Sequence, residues 1–268
     1  MTTIGAIGEA LEATVLAGED LLGSEIGEVY ASDLMSDVLA FGKPDSILLT
    51  GLTSQQSLIS AYMAEFKGVV LIRGKRPKEG AERFAAEHNL ALLSSKLDMY
   101  DACVRINELR RGSPRAATTL TGGPEADSLP LRQQFSIEGG DFAKAGMVST
   151  EVKSLLKQIG IDPTIVRRVA ISTYEAEMNV HMHARRARVD LSVHPKLVEV
   201  IVADEGKGIP DVNQAMQEGF TTATEEQRAM GFGSGMGLPN IKKNSDELDI
   251  QSRVGEGTLL IIRFFLPA

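Results

Sequence analysis

The sequence predicts two folded halves of different class: an α/β unit with a largely parallel sheet over residues 1–110, and an α+β unit over residues 131–268. Three observations predict this. Short, wholly apolar runs alternate with helical periodicity in the first half. Periodicity is lost over residues 111–130, where Arg111-Gly112-Ser113-Pro114 and Thr121-Gly122-Gly123-Pro124 have the composition of a linker. Beyond that break the apolar runs pair as hairpins around one long helix.

In the first half, residues 4–16 read as a short amphipathic helix followed by strand-like residues. Ser46-Ile47-Leu48-Leu49-Thr50 and Gly68-Val69-Val70-Leu71-Ile72 have strand length around continuous apolar centres, as strands covered on both faces must. Helical stretches are expected over residues 55–66, 79–88 and 97–109. The strand ends near Thr50-Gly51-Leu52-Thr53-Ser54 and Arg73-Gly74-Lys75 form a candidate ligand edge, although ordinary turn chemistry accounts for them better.

In the second half, residues 133–137 read as a strand and residues 145–159 as an amphipathic helix. Asp162-Pro163 marks a helix start, an Asp cap with Pro at the first position, and that helix should run to about Ala184. Residues 189–193 and 197–202 flank His194-Pro195-Lys196 as a hairpin. Residues 248–253 and 258–265 flank Val254-Gly255-Glu256-Gly257 as another.

Composition narrows the partners. At 268 residues, 43% hydrophobic and 24% charged, the chain matches an ordinary globular protein with room for two cores. A net charge of -8 argues against a nucleic-acid surface. The single cysteine, Cys103, excludes an internal disulfide, and its apolar neighbours Met99, Ala102 and Ile106 suggest a structural thiol. No apolar run reaches the ~18–20 residues needed to span a bilayer, and no targeting segment is visible. The expectation is a cytoplasmic protein without membrane contact.

The chemistry concentrates between Val202 and Leu238. An apolar strand delivers Asp204 to the turn Glu205-Gly206-Lys207-Gly208. Four alternate glycines, Gly231, Gly233, Gly235 and Gly237, then precede Leu238-Pro239-Asn240 at a helix start. Glycines in series turn backbone N–H groups toward one point, and the helix behind them adds its positive end, which makes a phosphate cradle. A plain surface loop would also use such residues. The spacing fits neither a Walker loop nor the dinucleotide fingerprint. On the long helix, Glu175, Asn179 and His183 recur every four residues and so share one face, flanked by apolar positions on both sides. A buried polar row must find partners, and a magnesium ion with phosphate oxygens would supply them; a water-facing helix edge is the alternative.

Together, Glu175-x-x-x-Asn179, Asp204-x-Gly206-x-Gly208, Gly231-x-Gly233-x-Gly235-x-Gly237 and Gly255-x-Gly257-Thr258 resemble the four boxes of the GHKL ATPase superfamily, in order, over about 135 residues. The resemblance implies a Bergerat fold, a mixed sheet with helices on one face, holding ATP under a lid. It implies that Asp204 accepts from the adenine amino group, with Gly206 permitting close approach of the ring and Gly208 also among the ATP-binding positions. It further implies that Asn179 holds Mg²⁺ and that Thr258 completes the adenine end. Gly231, Gly233, Gly235, Met236, Gly237 and Leu238 would form the lid and phosphate loop.

No histidine-bearing hairpin precedes the ATPase-like region, and the chain runs only to Ala268, so the expected branch is the compact anti-sigma and stressosome serine kinases. That branch implies Glu175 as general base toward a Ser or Thr of a small STAS-like antagonist, with a sigma factor as a further partner. An ATP-gated binding module, or an ATPase without protein phosphotransfer, are the alternatives. In the first half, residues 29–40 followed by Leu48-Leu49-Thr50-Gly51 resemble the DRTGG domain, whose naming motif stands here as Thr50-Gly51-Leu52-Thr53-Ser54. That resemblance implies a regulatory or dimerising unit, hence a possible homodimer, and no chemistry.

Overall fold

The computed structural model describes residues 2–110, 131–229 and 233–267. The expected linker at 111–130 and Gly231 lie outside the described residues. The chain divides into two compact units, Met1–Leu120 and Thr121–Ala268. Among the described residues, no helix is long and apolar enough to cross a membrane.

The first unit runs α1 (Ile4–Ala10), β1 (Thr14–Ala17), β2 (Val29–Ala31), α2 (Met35–Phe41), β3 (Ile47–Thr50), α3 (Gln55–Met63), β4 (Gly68–Leu71), α4 (Ala81–Glu87), β5 (Ala91–Ser94) and α5 (Met99–Arg110). The sheet order is β1-β5-β4-β3-β2. β2 to β5 pair in parallel, and β1 closes the edge antiparallel to β5. The apolar runs are buried at every position because both faces are covered. Ile47, Leu49, Val70 and Leu93 meet Ile4, Ile7 and Ile106 from α1 and α5. Cys103 packs against this cluster, and burial pushes its thiol up, as befits a structural cysteine.

The turn after β3 is closed by the unit's own groups. Asp33 Oδ1 accepts from Thr50 Oγ1 at 2.8 Å and from Gly51 N at 2.6 Å. Lys75 Nζ donates to Gly51 O.

The second unit comprises β6 (Leu131–Glu138), α6 (Met147–Gln158), α7 (Pro163–His183), β7 (Ala184–His194), β8 (Leu197–Gly206), α8 (Val212–Ala215), α9 (Glu225–Ala229), α10 (Gly237–Asn244), β9 (Glu247–Arg253) and β10 (Gly257–Phe265). The sheet order is β6-β7-β8-β10-β9, and every pairing is antiparallel. This corrects the mixed sheet expected for this half. Tight turns make the β7–β8 and β9–β10 pairs antiparallel at once, while the helical connections from β6 to β7 and from β8 to β10 return each strand antiparallel to its neighbour.

Alternation along the strands puts one face against helices. Val189 and Leu191, Val198 and Val200, and Ile262 and Phe264 form a core with Val152 and Leu156 of α6, Val166 and Val169 of α7, and Ile241 of α10. The opposite face carries charge, with Arg263 between Glu199 at 2.7 Å and Glu247 at 3.2 Å.

α7 positions everything else. Asp162 caps it, accepting from Thr164 N at 2.8 Å, and Pro163 takes the first turn. Arg168 ties its first half to the end of α10, donating to Asn244 O at 2.9 Å and pairing with Asp246 at 2.7 Å. Glu177 reaches sideways to the start of α6, whose Gly146 cap has no side chain to offer. Its carboxylate accepts from Gly146 N at 3.0 Å, Val148 N at 3.1 Å and Ser149 N at 2.9 Å. A carboxylate at a helix N-terminus meets both the orphan N–H groups and the positive end of the helix dipole.

Removing that cap should therefore cost more than an ordinary surface contact. Glu177→Ala should lower unfolding stability by about 3 kcal/mol, because buried amides lose their acceptors. Urea denaturation checks this, and a loss below about 0.5 kcal/mol, the surface-substitution range, would contradict the capping role.

Candidate functional site

Two clusters of polar groups lie at the ends of β8, α7 and α10. The first gathers around the start of α10. Glu175 is buried and Asn179 half-buried on one face of α7, and Gly237 is the first residue of α10. A Cβ on Gly237 would lie 3.2 Å from Asn179 Oδ1 and 3.6 Å from Glu175 Oε2, so the absent side chain is what lets the helix start approach both. Asn240, one turn into α10, donates from Nδ2 to Glu175 Oε1 at 2.6 Å.

Burial pushes the Glu175 carboxyl up to about 7, against the pull of the Asn240 amide. A carboxylate tuned near neutrality suits a general base. Met236 forms the α10 cap, and Leu238 packs against the core.

The second cluster surrounds Asp204 at the end of β8. Its carboxylate is pushed up by burial and held back by hydrogen bonds from the Thr258 backbone, the Gly206 backbone and the Thr258 hydroxyl. Thr258 Oγ1 also lies 2.9 Å from Ser252 Oγ, and Ser252 Oγ accepts from Ile209 N at 2.8 Å. The hydroxyl pair thus pins the turn after Asp204 to the β9–β10 hairpin. Gly206 sits where a Cβ would press on Asp204 Oδ1 at 2.7 Å and His183 O at 2.9 Å. Gly208 has φ +70° and no room for a side chain against Arg253 O.

His183 ends the predicted α7 row, made less basic by burial and by Lys207. Gly233 and Gly235 face their own loop, at Ala223 and at Gly219–Phe220, rather than the α7 row. Gln227 of α9 reaches Met182 O at 3.4 Å, bringing that helix against the end of α7.

The structure therefore brings Glu175, Asn179 and Gly237 together, and separately Asp204, Gly206, Gly208 and Thr258. Asn240 and Ser252 escaped the sequence reading as site residues. A polar residue at a core-facing position of α10, three after Gly237, was the signal for Asn240. The donor set fits a phosphate-bound Mg²⁺, which takes few protein ligands: an amide oxygen from Asn179, with a helix N-terminus for the anion.

The histidine kinase-like ATPase domain family matches residues 141–264. Anti-sigma F factor of Caldanaerobacter subterraneus is 38% identical over 107 residues, covering 37% of this chain and 71% of that protein. This chain belongs to the histidine kinase-like ATPase family. Another relative within reach of this ATPase family is the serine/threonine-protein kinase RsbT of Bacillus subtilis, 28% identical over 110 residues, 40% of this chain and 77% of that protein. A crystal structure of the CBS and DRTGG domains of Clostridium perfringens pyrophosphatase is similar at TM-score 0.33 and 14% identity, over 37% of this chain and 44% of that one.

The ionisation of Glu175 has a measurable consequence in the ligand-free protein. Its folded-state carboxyl holds a proton that the unfolded chain, with a value of 4.5, has already released. Stability from this group is present below pH 4.5 and lost as pH rises through about 7. Glu175→Gln escapes that loss, so its stability relative to wild type should rise by about 3 kcal/mol between pH 4.5 and pH 8. Paired urea titrations across that range check it; a constant difference would show that Glu175 is not perturbed.

Proposed function

We propose that this protein is an ATP- and Mg²⁺-dependent protein-serine/threonine kinase of the partner-switching type, acting on a small STAS-like protein. The observation that carries the reading is the meeting of Glu175 and Asn179 at the glycine start of α10. A helix N-terminus attracts phosphate, an amide oxygen suits the metal that accompanies it, and a carboxylate near neutrality stands beside both. The relatives' names agree, one a serine/threonine-protein kinase and others anti-sigma F factors.

In this reading residues 131–268 bind ATP. Asp204 accepts from the adenine amino group, Thr258 and Ser252 hold the Asp204 carboxylate and its turn, Gly206 leaves room for the ring, and Gly208 lets the turn close against Arg253 O. Asn179 holds the metal at the phosphates, and Gly233, Gly235, Met236, Gly237 and Leu238, with Gly231, form the loop around them. Mg²⁺ held there would supply neutralisation of phosphate charge. Glu175 takes the proton of the acceptor hydroxyl as its oxygen bonds to the γ-phosphorus. The bond from that phosphorus to the β–γ bridging oxygen breaks, and ADP leaves. Residues 1–110 are a DRTGG-like regulatory unit joined through residues 111–130.

An ATP-gated binding module is the second reading, favoured by the anti-sigma F factor relatives. Incubation with γ-labelled ATP and purified STAS-domain candidates separates the two. Label on a partner Ser or Thr supports the kinase, whereas ATP-dependent complex formation without label supports the binder. For the kinase, Glu175→Gln should keep ATP affinity and slow transfer at least ~100-fold; transfer at the wild-type rate excludes Glu175 as base. Asp204→Asn should weaken ATP binding by about 1.5–3 kcal/mol and erase the preference for adenine. Calorimetric titration with ATP and GTP tests that, and unchanged ATP affinity rejects the adenine assignment.

A further inference from the structure

α10 presents its apolar residues to the core, with Leu238 and Ile241 packed against the sheet side of the unit. Asn240 lies between them and is 1% exposed. A buried amide needs a partner, and its Nδ2 donates to Glu175 Oε1 at 2.6 Å. A donor on a buried carboxylate is a strong, charge-assisted bond.

The bond is also held in register from the other end of the helix. Asn244 Nδ2 donates to Asn240 O at 2.9 Å, and Arg168 of α7 donates to Asn244 O at 2.9 Å. α7 and α10 are thus stapled twice, once by Arg168 at the far end and once by Asn240 at Glu175. Oε1 is engaged by Asn240, while Oε2 is the oxygen turned toward Gly237 at the helix start.

We infer that Asn240 is a positioning residue for Glu175: its amide holds Oε1 and leaves Oε2 as the oxygen that takes the acceptor's proton. The inference rests on Glu175 being the base. Without the amide, the carboxylate rotates, and the oxygen facing Gly237 is no longer fixed for proton transfer, which is a loss of orientation rather than of nucleotide affinity.

The test uses the full chain in excess over Mg-ATP with water as acceptor, so no partner is needed. Phosphate release is measured in a single turnover, and Mg-ATP affinity is measured separately. Asn240→Leu keeps the approximate shape without the donor, and Asn240→Ala serves where Leu is not accommodated. Either should bind Mg-ATP within about twofold of wild type and cleave it on the order of tenfold more slowly.

In a Glu175→Gln background the same change should slow cleavage no further, because a residue acting through Glu175 has nothing left to act on. Equal slowing in both backgrounds, or a loss of affinity that matches the loss of rate, overturns the assignment and makes Asn240 structural. Glu175→Gln protein that releases phosphate at the wild-type rate overturns the base itself and the assignment with it.

Discussion

The second unit depends on the burial of one helix that carries two carboxylates. α7 packs against α6, α10 and the sheet, and both Glu175 and Glu177 are buried on it. Two residues apart, they point about 200° away from each other around the helix axis, so each faces a different neighbour. Burial disfavours the charge on both. Glu177 is answered by three backbone N–H groups of α6 and is fixed in place. Glu175 is answered by one side-chain amide of α10 and stays near neutrality. One burial thus yields a structural cap on one side of the helix and a chemically poised group on the other.

Absent side chains shape the site as much as present ones do. Around Asp204, Gly206 and Gly257 let two backbone segments approach the carboxylate from either side. At the other cluster Gly237 lets the start of α10 come up to Asn179 and Glu175. In each place the missing Cβ lets segments of the chain itself come closer than any side chain would allow. In the first unit the comparable turn is already filled: Asp33, Thr50, Gly51 and Lys75 satisfy one another.

Much of this was legible in the chain itself. The two halves, the long helix capped by Asp162, both hairpins and the strand carrying Asp204 follow from local rules. Each depends on residues a few positions apart: a cap and its proline, alternation along a strand, glycines at a turn. The family was legible for the same reason, since its boxes are short and lie in a fixed order, and the matching family covers residues 141–264. The ends of elements were less so; the first helix stops at Ala10, and residues 14–17 become an edge strand because β5 is there to pair with them.

The sequence by itself determined which residues could carry chemistry, because period and spacing are local properties of a chain. Only the tertiary structure decided which of them meet. Glu175 and Asn240 are 65 residues apart, and Thr50 reaches Asp33 over 17, so nothing local pairs them. The sense of the two strand pairings without a tight turn was decided in the same way: β6–β7 and β8–β10 are joined through helices long enough for either direction, and packing brings each pair back antiparallel. The fate of each buried carboxylate was decided there too, since its charge depends on what another element brings within hydrogen-bond reach.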